Sequence, residues 1–140
     1  MKKILITIAI IFLSNYARAD SFLDIGELPV IDPDSRGPCY YFKENTYNEI
    51  TADVIDEDSN ENKKYFQLDG KTIILKGEYD DNNDPYSPLT AFKYKYKNYV
   101  LTLSQIKIIN DKQILNKLII KGNGKIKKIN IIQFCPNSFG

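Results

Sequence analysis

Two short stretches hold both cysteines of the chain: GPCYYF, Gly37–Phe42, with Cys39, and QFCPN, Gln133–Asn137, with Cys135. They do not form a C-x-x-C motif, so the thioredoxin type of redox site is excluded. The chain has no histidine, which leaves a tetrahedral metal site short of ligands. In an oxidising compartment an even pair of cysteines is most simply a disulfide, with free thiols as the alternative. We therefore predict a Cys39–Cys135 bond that ties the start of the folded body to its last strand.

The first nineteen residues read as a secretory signal peptide. Lys2 and Lys3 precede an apolar run, Ile4–Leu13, and Ala17-Arg18-Ala19 is an A-x-A cleavage signal. The apolar run is too short for a membrane span, although an uncleaved anchor is the competing interpretation. The short basic start is typical of bacteria. We predict removal of residues 1–19 and a periplasmic or secreted product, with no transmembrane span afterwards.

The exported chain is long enough for one domain with a modest core. Residues 20–38 are rich in Asp, Pro and Gly, which predicts an extended or irregular N-terminal arm. Residues 39–140 carry strand-like patterns. We therefore divide the chain into a signal peptide, 1–19, an extended arm, 20–38, and a β-rich domain, 39–140.

Hairpin signals recur through this domain. In YFQLDGKTIILKGEY, Tyr65–Tyr79, Asp69-Gly70 separates two apolar runs and supplies the positive φ of a type I′ turn. Gly122-Asn123-Gly124 separates two further apolar runs, and Asn98 and Asn110-Asp111 indicate two more turns.

The stretch AFKYKYK, Ala91–Lys97, alternates strictly between aromatic and basic residues. Period-2 alternation predicts a half-buried antiparallel strand. Its aromatic side is Phe92, Tyr94 and Tyr96, and its basic side is Lys93, Lys95 and Lys97.

Two segments, 46–58 and 111–121, remain open between strand and helix. In the second, Ile114, Leu115, Leu118 and Ile119 fit a helical stripe, but the density of isoleucine and the flanking turns favour a strand. Several short strands with turn signals predict an all-β fold, a single small antiparallel sandwich or barrel with one disulfide. One short helix remains an option.

Charge divides the exported chain into two halves. Residues 20–90 have net charge −11, and residues 91–140 have ten lysines against one acidic residue, net +9. The simplest interpretation is internal, because opposite charges across strands stabilise a sheet. The functional interpretation is a basic face for an anionic partner or an acidic face for a basic one.

Several function classes find little support in the residue types. Arg36 is the one arginine after the signal peptide, so nucleic-acid recognition fits poorly. Asp80, Asn82 and Asp84 have the spacing of a calcium loop, but proline stands where that loop needs glycine and alanine where it needs glutamate. Without histidine there is no Ser–His or Cys–His dyad. We therefore predict no metal, no cofactor and no enzymatic activity.

The sequence favours an exported module of the bacterial envelope that binds a protein partner, of the inhibitor or immunity type. The alternatives are an accessory subunit of a surface or secretion assembly, whose arm adds a strand to a neighbour, and a hydrolase that uses carboxylates. The oligomeric state stays open. The candidate contact residues are acidic residues of two loops, a tyrosine that lies between two prolines, and the three lysines of AFKYKYK. They are Asp56, Asp58, Asp80, Asp84, Tyr86, Lys93, Lys95 and Lys97.

Overall fold

The computed structural model describes residues 21–55, 62–80 and 89–137. These residues form nine β-strands and one 3-10 turn, Pro33–Ser35, without an α-helix among them. The strands are β1 Ile25–Gly26, β2 Tyr40–Lys43, β3 Glu49–Asp53, β4 Lys63–Leu68, β5 Lys71–Tyr79, β6 Ala91–Tyr96, β7 Tyr99–Ile108, β8 Gln113–Gly122 and β9 Lys125–Phe134. The predicted all-β class is confirmed.

The strands close into a barrel rather than a sandwich. From β2 to β9 each strand pairs antiparallel with the next along the chain, and β9 pairs back with β2. β1 lies outside this circuit and pairs with β4. The result is a closed eight-stranded up-and-down barrel, in which no strand of the circuit leaves a free edge.

Tight turns close one end of the barrel, which we call the turn end. Two of them are the predicted Asp69-Gly70 and Asn123-Gly124 turns. Their φ angles are 49° and 78° in the first and 52° and 71° in the second. Type I′ turns need positive φ at both central residues, which Gly adopts freely and Asn and Asp tolerate. Lys97, at φ 53°, is the first residue of the turn between β6 and β7. It therefore lies one residue beyond β6, whereas the sequence predicted that the strand includes it.

The opposite end carries both cysteines, and we call it the disulfide end. The seam between β2 and β9 runs from the Tyr40–Phe134 pair to the Lys43–Ile131 pair. The predicted bond between Cys39 and Cys135 lies directly beyond it and is confirmed. The disulfide therefore joins the first and last strands of the barrel.

An apolar core fills the interior towards the turn end. Alternation along the strands points every second side chain inward, and these positions carry large apolar residues. Among those fully or almost fully buried are Phe66, Leu68, Leu101, Leu118, Ile120 and Ile131. Tyr94 is also fully buried, and its ring lies edge-on to that of Phe66 with centroids 5.4 Å apart.

The N-terminal arm lies on the barrel. Phe22 packs edge-on against Tyr99 at the turn end, with ring centroids 5.3 Å apart, and Leu23 is buried in the core cluster. β1 then pairs with the end of β4. The arm continues to the disulfide end, where the Gly37 amide donates to the Asp53 carbonyl at 3.0 Å. The described arm thus covers the turn end and leads the chain back to the start of β2.

Both segments left open between helix and strand contain strands. Segment 46–58 includes β3, and segment 111–121 lies largely in β8. In β8 the buried positions are Ile114, Asn116, Leu118 and Ile120, which is alternation and not a helical stripe. Leu115 and Ile119, which the helical interpretation grouped with Ile114 and Leu118, lie on the other side of the strand.

The described residues include no helix that is long and apolar enough to cross a bilayer. The predicted signal peptide, residues 1–19, lies outside the described residues. A disulfide-bonded β protein is compatible with an oxidising compartment, where such bonds persist.

Removing the disulfide is expected to destabilise the barrel. In the chain-entropy picture, a bond between residues 96 positions apart restricts the unfolded chain strongly. We expect a Cys39→Ser/Cys135→Ser variant to lose about 2–5 kcal/mol of unfolding free energy in urea denaturation. Reductant should lower the stability of the wild type towards that of the variant and leave the variant unchanged. A loss below about 0.5 kcal/mol would contradict a structural role for the bond.

Gly77 makes room for the buried ring of Tyr94, its partner across β5 and β6. A Cβ at position 77 would lie 2.7 Å from Tyr94 Cε1, which is too close for real atoms. We expect Gly77→Ala to lower the unfolding free energy by about 1–3 kcal/mol through overpacking. Gly26→Ala is the matched control, because its Cβ would meet only Gln67 Cγ at 3.5 Å. Equal stability of the two variants in urea would refute this packing.

Candidate functional site

A ring of polar side chains lines the barrel interior near the disulfide end. We call it the polar belt, and its members are Tyr41, Asp53, Lys64, Gln105, Asn116 and Gln133. The register pairs Tyr41 with Gln133, Asp53 with Lys64, and Gln105 with Asn116. Directly paired residues point to the same side of a sheet, so six strands contribute to one belt.

Charged and phenolic groups form one half of the belt. Lys64, only 4% exposed, makes an ion pair with Asp53 and donates to the Tyr41 hydroxyl oxygen at 3.3 Å. The Tyr41 hydroxyl donates in turn to Asp53 Oδ2 at 3.2 Å. Lys64 Nζ also lies 4.4 Å from the centroid of the Tyr41 ring. The buried ammonium is thus compensated by a carboxylate and an aromatic face.

Amide side chains form the other half. Gln133 Oε1 accepts from Gln105 Nε2 at 3.2 Å and from Asn116 Nδ2 at 3.1 Å. The Thr90 backbone amide donates to Gln105 Oε1 at 3.1 Å, which orients that side chain. Gln133 Nε2 reaches Cys135 Sγ at 4.0 Å, and sulfur is a weak acceptor.

The polar belt surrounds a cavity of about 220 Å³. Asn62, Thr90, Phe92 and Leu103 complete its lining. The Tyr94 hydroxyl donates a hydrogen bond to Asn62 Oδ1 at 2.7 Å. The ring of Tyr94 thus packs in the apolar core, while its hydroxyl points towards the polar end of the barrel. The interior therefore has two parts, an apolar part that side chains fill and a polar part that they leave open.

Burial shifts the ionisation of both interior phenols. Loss of hydration raises the pKa of Tyr41 well above its ordinary value, and the neighbouring Asp53 charge raises it further. Burial also raises the pKa of Tyr94, with a smaller contribution from Asp53. Both hydroxyls stay protonated at neutral pH and act as hydrogen-bond donors.

A second feature lies on the outside of the barrel. Its aromatic face comprises Tyr40, Phe42, Tyr47, Ile132 and Phe134. The Tyr40 and Phe42 rings are parallel with centroids 5.8 Å apart, and Tyr47 meets Phe42 edge-on at 6.4 Å. Tyr47 is 92% exposed. Together with Lys43 and Gln113, these side chains line a surface groove of about 460 Å³.

The arm borders this face with a second groove. It has a volume of about 590 Å³ and shares Tyr40 and Phe42 with the first, while the arm supplies Leu28, Val30 and Ile31. Val30 is fully exposed. The two grooves therefore form one continuous apolar surface, of the kind that marks interaction sites on folded proteins.

Arg36 fixes the arm beside the aromatic face. It makes a bidentate ion pair with Glu49, and its Nη2 donates to the Cys39 carbonyl at 3.0 Å. Its guanidinium also lies 4.7 Å from the Tyr40 ring centroid. The hydrogen bond to Glu49 raises the pKa of Arg36 above its ordinary value. Tyr40 is therefore held by contacts with both Arg36 and Phe42.

Of the residues proposed from sequence, those that the structure describes lie apart from both features. Lys93 and Lys95 lie on the outer side of β6, and Lys93 approaches Asp80 at 3.8 Å, the pairing of opposite charges that the simpler interpretation expects. Lys97 lies in the following turn, 5.3 Å from the Tyr96 ring centroid. Asp56, Asp58, Asp84 and Tyr86 lie outside the described residues.

Sequence reasoning did not single out the polar belt, although a signal was present. Asn116 and Gln133 occupy inward positions in ILNKLII and IIQF, where the other inward residues are apolar. Lys64 alternates with Phe66 and Leu68 in KKYFQL and so belongs to the inward set. A polar residue at a position that alternates with buried apolar residues along the same strand is the pattern that would have revealed the polar belt.

No known protein family, no curated protein and no solved structure matches this chain. Within the part of the chain that the structure describes, no three histidine, cysteine or carboxylate side chains cluster as a metal site would require. The polar belt and the aromatic face are thus the two candidate sites.

The raised pKa values predict a loss of stability in alkali. An unfolded tyrosine ionises near pH 10, whereas the folded state holds Tyr41 and Tyr94 protonated at higher pH. Above about pH 10 the unfolded state binds fewer protons, so the unfolding free energy falls, by up to about 1.4 kcal/mol per pH unit for each tyrosine. Below that pH this contribution does not change.

Urea denaturation of Tyr41→Phe against pH tests this effect. We expect the decline above about pH 10 to be less steep than in the wild type, because one buried phenol is gone. Tyr47→Phe removes an exposed phenol and serves as the control, with an unchanged decline. The same slope for all three proteins would show that the Tyr41 pKa does not govern alkaline stability.

Proposed function

We propose that this protein is an exported binding module of the bacterial envelope that docks a protein partner on its aromatic face. The observation that carries the proposal is the cluster of contacting rings, Tyr40, Phe42 and Tyr47, on the outer surface of β2 and the following turn of a disulfide-closed barrel. Tyrosine is enriched in protein interfaces because it buries a large area with few rotatable bonds and keeps a polar tip.

Preorganisation supports this surface as a docking site. Tyr40 and Phe42 lie on β2 next to the disulfide, and Arg36 and Glu49 hold the adjacent arm. Side chains that are already fixed lose less entropy on binding than flexible ones. Tyrosine and arginine are also the residue types most often found at the energetic centre of interfaces.

Charge around the face indicates the chemistry of the partner. Strands β8 and β9, of which β9 forms part of the face, carry five lysines and no aspartate or glutamate. Lys117 and Lys128 lie on the outer side of β8 and β9, and Lys43 borders the groove itself. The partner that fits is a protein with an apolar centre and an acidic rim, since such a rim would be steered towards these lysines.

An inhibitor or immunity protein matches these features best. Such a protein needs a rigid, stable surface for one partner and no chemistry of its own, and a small barrel closed by a disulfide supplies that surface. The accessory-subunit alternative relies on an arm that pairs with a neighbour. The two residues of β1 in this arm already pair with β4 of the same chain, which favours the docking proposal over that alternative.

A matched pair of exposed residues tests the docking surface. The partner is first captured from envelope extract with the disulfide-bonded protein and then purified, so that its affinity can be measured directly. We expect Tyr47→Ser to weaken that affinity at least about tenfold, as loss of an interface hot spot does. Ile74→Ser, at a 51% exposed position on β5, is the control and should stay within about twofold.

Two results would contradict the proposal. One is the capture of no stoichiometric partner above a reduced, unfolded control. The other is a partner that binds wild type and Tyr47→Ser equally well. Raised salt should also weaken binding if acidic groups of the partner meet the lysines.

A further inference from the structure

The cavity inside the polar belt is a second place where a ligand can bind, separate from the aromatic face. The cavity is partly open to solvent, so a small solute can enter it. At about 220 Å³ it has the volume of about seven waters, at roughly 30 Å³ each. An eight-stranded barrel is just wide enough either to be filled by side chains or to hold one small ligand. In this barrel, side chains fill the apolar part of the interior, and the polar part leaves room for one small ligand.

The lining is costly if its only role is structural. The buried Lys64 ammonium, whose partner Asp53 is 35% exposed, contributes little net stability, because well-packed apolar residues of similar volume often do as well or better. Three amides beside it add polar groups that must all be satisfied. Such a set of polar groups around a space that side chains leave open is the arrangement of a binding site, in which a few polar groups set orientation.

We infer that the polar belt binds a small, neutral, polyhydroxylated molecule of monosaccharide size. Asp53 and Lys64 carry opposite charges, so together they favour a ligand without net charge. A carboxylate only accepts hydrogen bonds and an ammonium only donates, while amides do both. A hydroxyl group can satisfy either kind, so several hydroxyls on one ring match this mixture of donors and acceptors.

Two further details agree with this class of ligand. Gln133 Nε2 has Cys135 Sγ at 4.0 Å as its acceptor among the described residues, which leaves this amide suited to a stronger oxygen acceptor. Phe92 and Leu103 give the cavity an apolar side against which the C–H face of a sugar ring can pack. The volume lies below the roughly 300 Å³ at which pockets for drug-sized ligands begin, which limits the ligand to about one ring.

Nuclear magnetic resonance of the exported, disulfide-bonded protein tests this inference. The probes are D-glucose, D-galactose and N-acetyl-D-glucosamine, each titrated separately, with glycine and sodium acetate as zwitterionic and anionic comparisons. We expect at least one sugar to shift the side-chain amide signals of Gln105, Asn116 and Gln133 saturably. A ligand of this size should have a dissociation constant on the order of 1 mM.

Variants separate this site from the rest of the molecule. Gln133→Met removes the amide while keeping a similar volume, and we expect at least about fivefold weaker binding of the sugar. Gln67→Met changes a glutamine at a different, partly exposed position, on β4, and should bind as the wild type does. Tyr47→Ser should also leave sugar binding unchanged, so failure of the docking proposal and failure of this one are distinguishable.

Four results would overturn the inference. The first is that no belt amide shifts saturably up to about 100 mM sugar, which is about a hundred times the expected dissociation constant. The second is that shifts are confined to residues outside the belt, and the third is that Gln133→Met binds the sugar with the same affinity as the wild type. The fourth is that only glycine or acetate gives saturable binding. The wild-type titration decides the matter if Gln133→Met does not fold.

Discussion

The pairing of β2 with β9 is the constraint on which the rest of the structure depends. These are the first and last strands of the barrel, and without their seam the sheet would end in two open edges. The Cys39–Cys135 bond lies at the end of this seam and holds together two parts of the chain that are distant in sequence. Closure therefore combines a row of backbone hydrogen bonds with one covalent bond at the disulfide end.

The seam also builds both candidate sites. Inside the barrel, the Tyr41–Gln133 pair joins the charged half of the polar belt on β2 to β4 with the amide half on β7 to β9. Outside, the same two strands bring Phe42 beside Ile132 and Tyr40 beside Phe134, which creates the aromatic face. Because side chains alternate along a strand, one seam provides an interior polar surface and an exterior apolar one. A small ligand and a protein partner could then be bound without competing for the same atoms.

The sequence predicted the local structure of this barrel well. Asp69-Gly70 and Asn123-Gly124 specify their turns because few other residues adopt positive φ, and the alternation in AFKYKYK specifies the strand β6. The disulfide was predicted because the chain has neither a C-x-x-C redox motif nor the histidines of a metal site, which leaves a bond between its two cysteines as the simplest interpretation. Closure could not be derived, because a sandwich and a barrel can be built from the same strands and differ in which strands pair, among them β2 with β9. The polar belt was missed because Lys64, Asn116 and Gln133 acquire meaning only when the inward side of each strand is known.

Backbone nuclear Overhauser effects across the seam test the closed barrel most directly. The structure places Tyr41 opposite Gln133 and Lys43 opposite Ile131, so their strands should show cross-strand contacts and slowly exchanging amides. The pairing of β7 with β8 gives an internal reference that both architectures share. Seam contacts as clear as those reference contacts are the result that we predict. Reference contacts without seam contacts, and rapid amide exchange along β2 and β9, would mean an open sheet in which neither the polar belt nor the aromatic face is assembled.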